Sequence, residues 1–293
     1  MHLDELFRAN DGLVTRGQLL SVISRKALAS HLQAGAMVRV CHGVYAPEPP
    51  DTLGRLAALE LATGRPIVAC MGTAAELHGF DIENDGRIHV LDPGIRIRPT
   101  PELMVHQRNG APLRRAQGRL VTTPAWTAVE IARTLNRRRV LATLDVALRS
   151  ATCSAPELQR AIGEQKGRRG IVAVRELLAH ADARSESPME SEARLVFIDG
   201  GLPTPVLQHE IVDHCGQLWR VDFAWPDAMV AAEYDSMQWH SSPEGWKRDR
   251  IKSARLGECG WSLVRFVVDD VRRHPADLVL TLSNRLDARR LAG

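Results

Sequence analysis

The sequence predicts a multidomain α+β fold, and three observations predict it. At 293 residues the chain exceeds one typical compact domain of roughly 100–200 residues. Two punctuation points divide it: a Pro-rich exit, "APEPP", at 46–50, and a polar stretch, "ARSESP", at 183–188. Between these points helix-period and strand-period runs come in blocks and not as a regular βαβ alternation, which argues against one doubly wound sheet. The expected parts are 1–48, 51–183 and 186–293. Aromatics make up only 4% of the chain, so the cores must come mostly from Leu, Val, Ile and Ala.

Composition narrows the class. Hydrophobic content of 44% with 25% charged residues is ordinary for a soluble globular protein. Cys41, Cys70, Cys153, Cys215 and Cys259 show neither CxxC spacing nor a paired framework. That excludes a zinc ribbon or disulfide scaffold, indicates a reducing compartment, and makes five small buried side chains the expectation. The charged start "MHLDELFRAN" has no apolar core of a signal peptide, and no run approaches the roughly 20 residues of a membrane span. A cytoplasmic protein with no membrane partner is expected. The net charge of +3 is uneven, with 19 basic and 14 acidic residues over 51–183. The excess clusters in "LRRAQGR", "NRRRV" and "QKGRRG". It is compatible with nucleic acid, although Arg-rich faces are commonly just solvated. If the middle part touches DNA, Arg137, Arg138 and Arg139 are expected to contribute to the salt dependence of binding.

In the first part, Leu3, Leu6 and Phe7 have helical spacing and "DGLVT" ends that helix. Thr15 caps a second helix in "TRGQLLSVI". Ser24 caps a third, whose inner stripe is Ala27, Leu28, His31 and Leu32 and whose stop is Gly35. Two short strands around His42–Gly43 follow. Three helices and a small hairpin in this order form the winged helix-turn-helix pattern, in which the third helix enters the major groove and the wing reaches the backbone or the minor groove. The candidate DNA contacts are Arg25, Lys26, Ser30 and Gln33 on the outer face of that helix, with Arg39 and His42 near the wing. The competing reading is a small helical domain that binds protein. His31 lies on the inner stripe and reads as structural.

The middle part gives a helix over "DTLGRLAALELATG", a strand and helix in "PIVACMGTAAELHGF", and short strands in "RIHVLDPG", "ELMVHQRN" and "GRLVTTP". Helices follow from Thr123–Pro124, "RRRVLATLDVALRS", "APELQRAIGEQKG" and "GIVAVRELLAHAD". No catalytic constellation stands out, and His78, His89 and His106 read as isolated structural residues.

The third part runs helix, strand, hairpin, helix, strand, helix: a mixed sheet flanked by helices. Its hairpin, "VDFAWPDAMVAAEYDSMQWH" (221–240), carries Asp222, Glu233 and Asp235. With a turn at Pro226–Asp227, residue 222 is expected to pair with 231. Asp222, Glu233 and Asp235 then point to one face, with Asp222 and Glu233 diagonal neighbours. Like charges there demand a positive partner. A hard divalent cation such as Mg²⁺ is one solution, and cationic side chains from "KRDRIK" are the other.

The strings "SPMES", "GLPTPVLQHEI", "RVDFAWPDAMVAAEYDSMQWH" and "KRDRIKSARLGECGWSLVRFVVDDV" resemble the restriction-endonuclease-like PD-(D/E)XK superfamily, in the branch related to very-short-patch-repair endonucleases. The resemblance implies a restriction-endonuclease-like α/β domain over 186–293. It implies Asp222 and Glu233 as ligands for Mg²⁺ (or Mn²⁺), Asp235 in the slot of the superfamily Lys, His240 as the following His, and Glu190 as the helix acid. Ser236 departs from the Gly usual after "EYD". Ser-Pro-x-Glu at 187–190 is equally a capping box, and Glu192 reads as surface. Lys247, Arg248 and Lys252 read as phosphate contacts or as substitutes for the missing Lys, with Asp249 beside them. Trp239 and Trp246 read as packing. The first part and some of the middle ("HGVYA", "AAELHGF") resemble AbiEi-type antitoxin and regulator proteins with an N-terminal winged helix.

Two functions follow. One is a DNA-binding protein with a metal-dependent endonuclease domain that hydrolyses phosphodiester bonds in DNA. The alternative is a transcriptional regulator or antitoxin-like protein on a catalytically silent nuclease fold. DNA is the expected partner, and a homodimer and a cognate toxin remain open.

Overall fold

The computed structural model describes residues 2–83, 85–95, 97–107, 110–236 and 243–290, with side chains of 247–289 in the last stretch. The chain divides into two compact units, Met1–Thr127 and Ala128–Gly293. Among the described residues no helix is long and apolar enough to cross a membrane.

The first unit opens with α1 (Leu3–Arg8), β1 (Val14–Thr15), α2 (Arg16–Leu20), α3 (Arg25–Gln33), β2 (Val38–Cys41) and β3 (Val44–Ala46). Thr15 and Gln18 cap α2 reciprocally: Gln18 N donates to Thr15 Oγ1 at 3.3 Å, and Thr15 N to Gln18 Oε1 at 2.8 Å. Ser24 Oγ accepts Ala27 N at 3.1 Å, and Gly35 leaves α3 at φ 69°. Leu6, Phe7, Leu19, Leu28 and Tyr45 close one small core. The short β1 joins β3, so the three strands form an antiparallel sheet of order β1-β3-β2.

The chain continues through α4 (Thr52–Thr63), β4 (Val68–Ala69), α5 (Met71–Leu77), β5 (Ile88–Leu91), β6 (Leu103–His106), β7 (Leu113–Ala116) and β8 (Arg119–Thr122). These strands make a mixed sheet of order β6-β5-β4-β8-β7, packed on α4 and α5 through Leu56, Leu59, Ala74 and Leu77. The basic cluster "LRRAQGR" is the β7–β8 hairpin. Gln117 (φ 48°) and Gly118 (φ 78°) make its two-residue turn, and Arg114 and Arg115 are exposed on the edge strand. His89 and His106 read as isolated in sequence but lie on neighbouring parallel strands. Their rings stack at 5.1 Å, with Nδ1 of one 2.9 Å from Nε2 of the other. His78 is buried, its Nε2 2.8 Å from the Thr122 carbonyl.

The helix α6 (Pro124–Ala132) leads into the second unit, which contains α7 (Arg137–Arg149), α8 (Ala155–Glu164), α9 (Ile171–Leu178), α10 (Pro188–Asp199), β9 (Val206–Val212), β10 (Leu218–Trp225), β11 (Val230–Tyr234), α11 (Pro243–Glu258), β12 (Ser262–Phe266), α12 (Val268–Arg272) and α13 (Pro275–Arg290). α10 packs on α7 around a buried ion pair. Arg194 binds Asp145 Oδ2 and donates to the His180 carbonyl at 2.6 Å, while Asp182 N donates to Asp145 Oδ1 at 2.8 Å. The strands form a mixed sheet of order β12-β11-β10-β9 in which only β11 and β12 run parallel. One face packs on α10 and α13 through Phe197, Phe223, Trp225, Phe266 and Leu282. The other meets α11 through Trp219, Val221, Ala231 and Leu256.

Four expectations are corrected. The hairpin turn is longer than Pro226–Asp227: a 3₁₀ turn over Pro226–Ala228 plus Met229 at φ 50° moves the register to Ala224↔Ala231 and Phe223↔Ala232. That shift of two residues preserves the face and places Asp222 opposite Glu233, not diagonal to it. The tail of "WSLVRFVVDD" is not strand, because Asp270 Oδ2 accepts Val267 N at 2.8 Å and starts α12. Glu192 is not surface. It is 3% exposed, and its two carboxylate oxygens accept Nε and Nη2 of Arg272 at 2.9 and 2.7 Å. Cys215 is exposed, whereas Cys70 and Cys153 are buried as expected; all five thiols are free.

Two glycines of the second unit, Gly170 just before α9 and Gly163 within α8, differ sharply. Gly170 sits at φ 82°, and a Cβ there would lie 1.9 Å from the Arg133 carbonyl oxygen; Gly163 has open space around it. Gly170→Ala is expected to destabilise the chain by about 3 kcal/mol or more. Gly163→Ala is expected to stabilise it by about 0.5–1 kcal/mol. Urea melts of the two variants check the contrast.

Candidate functional site

Pairing of the two inner strands brings Asp222 of β10 and Glu233 of β11 side by side on the face covered by α11. They line a cavity of about 220 Å³ together with Asp235, Asp249, Lys252 and Arg265. The placement has a local cause. Leu256 is fully buried against the sheet, and Lys252, one turn earlier on the same helical face, is thereby carried over the carboxylates.

Lys252 Nζ contacts Glu233 Oε1 and donates to the Arg220 carbonyl at 2.5 Å. Arg265, opposite Glu233 in the parallel register, has Nε 3.8 Å from Glu233 Oε2 and donates to the Asp249 carbonyl at 3.0 Å. Asp222 Oδ2 accepts Tyr234 N at 2.8 Å. Burial pushes the Asp222 carboxyl up to about 6, helped by the charge of Glu190 and opposed by the Tyr234 hydrogen bond, Lys252 and Arg220. Burial also raises Glu233, against the pull of Lys252.

Glu190 stands at the first turn of α10. Ser187 Oγ accepts its N–H at 3.2 Å, and its Oε2 accepts Glu186 N and Gln208 Nε2, each at 2.9 Å. Capping and proximity to Asp222 therefore coexist, and burial raises this carboxyl too. Asp235 follows the end of β11, its N–H donating to the Phe266 carbonyl at 2.8 Å. His240, Trp239 and the Trp246 side chain lie outside the described residues. Lys247 and Arg248 are exposed on α11, whereas Lys252 belongs to the carboxylate cluster.

On α3, Arg25, Lys26, Ser30 and Gln33 are all exposed, and Leu28 is buried behind them. Arg39 is exposed on β2 with Nη2 3.0 Å from His42 Nδ1. The Arg137–Arg139 run is engaged within its own unit. Arg137 pairs with Asp199 at 3.0 Å, and Arg138 donates to the Val271 carbonyl at 3.0 Å.

Sequence reasoning missed Arg265 and Gln208. Arg265 reaches Glu233 only through a parallel pairing between segments about thirty residues apart, for which no local pattern exists. Gln208 holds φ 52° within β9 while its amide reaches Glu190. A non-glycine residue held there stores strain of about 1 kcal/mol or more.

The donor chemistry suits a hard cation, since Asp222 and Glu233 offer carboxylate oxygens. Among the described residues no group of three or more His, Cys, Asp or Glu converges to hold a metal. The chain would thus supply two side-chain ligands.

Residues 67–180 match the family described as AbiEi antitoxin C-terminal domain. "AAELHGF" lies inside that match and "HGVYA" outside it. Over 271 residues the chain is 58% identical to "Uncharacterized protein Rv2248" of Mycobacterium tuberculosis strain H37Rv and to "Uncharacterized protein MT2308" of strain CDC 1551. Each alignment covers 92% of this chain and 100% of the relative.

The raised Asp222 carboxyl has a stability consequence. The folded state holds this proton more tightly than the unfolded chain, so its contribution falls as pH rises from about 4 to about 6. The full loss is about 2–3 kcal/mol. Asp222→Asn should therefore be more stable than the parent at pH 7.5 and nearly equal to it at pH 4 in urea melts. A difference independent of pH would exclude Asp222 as the titrating group.

Proposed function

The chain belongs to one family with the two Mycobacterium tuberculosis proteins, and on that premise we propose a DNA-binding regulator of the AbiEi antitoxin kind. In this reading residues 2–46 form a winged helix-turn-helix reader, and a cognate toxin is the protein partner. The observation that carries it is the exposed Arg25–Lys26–Ser30–Gln33 face of α3, backed by a closed core and followed by the β2–β3 hairpin. Such a face has the length and polarity of a recognition helix. The antitoxin-domain match over 67–180 supports the same reading.

The C-terminal sheet is then a restriction-endonuclease-like fold in a silent role. Lys252 and Arg265 balance Glu233 from within the fold, and Asp222 is held toward its neutral form. These cationic side chains offset part of the charge problem read from the hairpin, which supports the silent role.

A second reading, a metal-dependent DNA endonuclease, draws on one specific observation: Asp222, Glu233 and Lys252 converge in one cavity. Mg²⁺ bound by the two carboxylates supplies Lewis acidity and a water of lowered pKa. Lys252 brings a fixed positive charge beside them, suited to a phosphate anion.

The two readings separate experimentally. For the regulator, Arg25→Ala with Lys26→Ala should weaken duplex binding about tenfold or more and reduce the slope of log K against log salt by about 1–2. Fluorescence anisotropy across a salt series measures both, and wild-type values would remove α3 from the interface. For the endonuclease, plasmid cleavage should need Mg²⁺ or Mn²⁺ and disappear in Glu233→Ala. Binding without cleavage on plasmid, single-stranded and mismatched DNA leaves the regulator alone.

A further inference from the structure

The first unit contains a cavity of about 950 Å³ between the β2–β3 hairpin, α4 and the β5–β6 edge of the five-stranded sheet. Small-molecule sites occupy roughly 300–1,000 Å³. Its floor is apolar: Leu59, Ile88 and Leu103 are buried there, and Val40 and Ile97 extend it. Its rim is cationic: Arg39, Arg55 and Arg98 line it against a single carboxylate, Glu102.

These groups are differently held. Arg55 is fixed by the carbonyls of Gly86 and Glu102, at 3.0 and 3.1 Å. Arg39 leans on His42. Among the described residues Arg98 makes no hydrogen bond or ion pair, and it is exposed at the mouth. Cys41 also lines the space; burial pushes its thiol up to about 11, so it is a neutral wall and not a nucleophile.

The combination selects a ligand class. A phosphodiester backbone gains nothing from a buried Leu–Ile floor. A wholly apolar molecule would cover the exposed Arg98 guanidinium without offering it an acceptor, which is unfavourable. An apolar body with one acidic head satisfies both surfaces, the head taking the planar, multi-donor guanidinium geometry that suits carboxylates. We propose that this cavity binds a small amphipathic anion, apolar body against Leu59, Ile88 and Leu103 and acidic head at Arg98 and Arg55. The site does not depend on what α3 or the carboxylate cluster does.

The test uses the full chain and 8-anilinonaphthalene-1-sulfonate as the probe. Its fluorescence should saturate at one dye per chain, and the neutral N-phenyl-1-naphthylamine should bind at least tenfold more weakly. Octanoate should displace the dye and octanol should not. Arg98→Glu, an exposed position, should weaken the probe at least tenfold with an unchanged melting curve. Ala62→Glu, which adds a carboxylate to the exposed α4 side of the lining, should do the same independently. Non-saturating fluorescence, equal binding of the neutral dye, or unchanged affinity in both folded variants would each overturn the proposal.

Discussion

The second unit depends on one buried ion pair. Asp145 is inaccessible to solvent and Arg194 nearly so. A lone carboxylate at that depth would be strongly disfavoured, and burial does raise Asp145. The fold answers with donors from two places, the Arg194 guanidinium on α10 and the Asp182 amide in the segment after α9, and Arg194 is itself anchored by donating to the His180 carbonyl. Removing one partner of such a pair costs about 3–5 kcal/mol, because the other charge remains buried. The pair therefore sets how α10 lies on α7, and α10 in turn brings Glu190 to Asp222 and Glu192 to Arg272.

The carboxylate cluster follows the opposite logic. Asp145 is satisfied completely; Asp222 and Glu233 are not. They are largely buried, face each other across two central strands, and share their cations with backbone carbonyls. A fold optimised only for stability would place Val or Thr there. The strain of Gln208, whose amide reaches Glu190, and the raised carboxyls of Glu190, Asp222 and Glu233 lie close together at this end of the sheet.

Much of this was legible in the sequence where the signal is local. The caps at Thr15 and Ser24 and the stop at Gly35 depend on three or four neighbouring residues, and the structure has them where the sequence predicts. The face shared by Asp222 and Glu233 is the same for the short turn and for the observed longer one, because a two-residue shift keeps the parity of a strand. What escaped is non-local or needs a rare backbone state. Met229 in a left-handed conformation cannot be told from any other Met. The parallel β11–β12 pairing that delivers Arg265 has no turn to announce it. β7 was hidden because an exposed edge strand carries no apolar alternation, and Glu192 because its partner lies eighty residues away.

That same edge strand has a consequence for how the chain behaves at high concentration. β7 ends its sheet, and its outward row of backbone donors and acceptors is a template on which another chain could add a strand. Arg114 and Arg115 are consecutive on it and put a guanidinium on each face of the edge, just before a tight turn. A second copy approaching in register would bring guanidiniums against guanidiniums before any hydrogen bond forms. The basic cluster that in sequence suggests an affinity for nucleic acid would thus also oppose edge-to-edge association of copies.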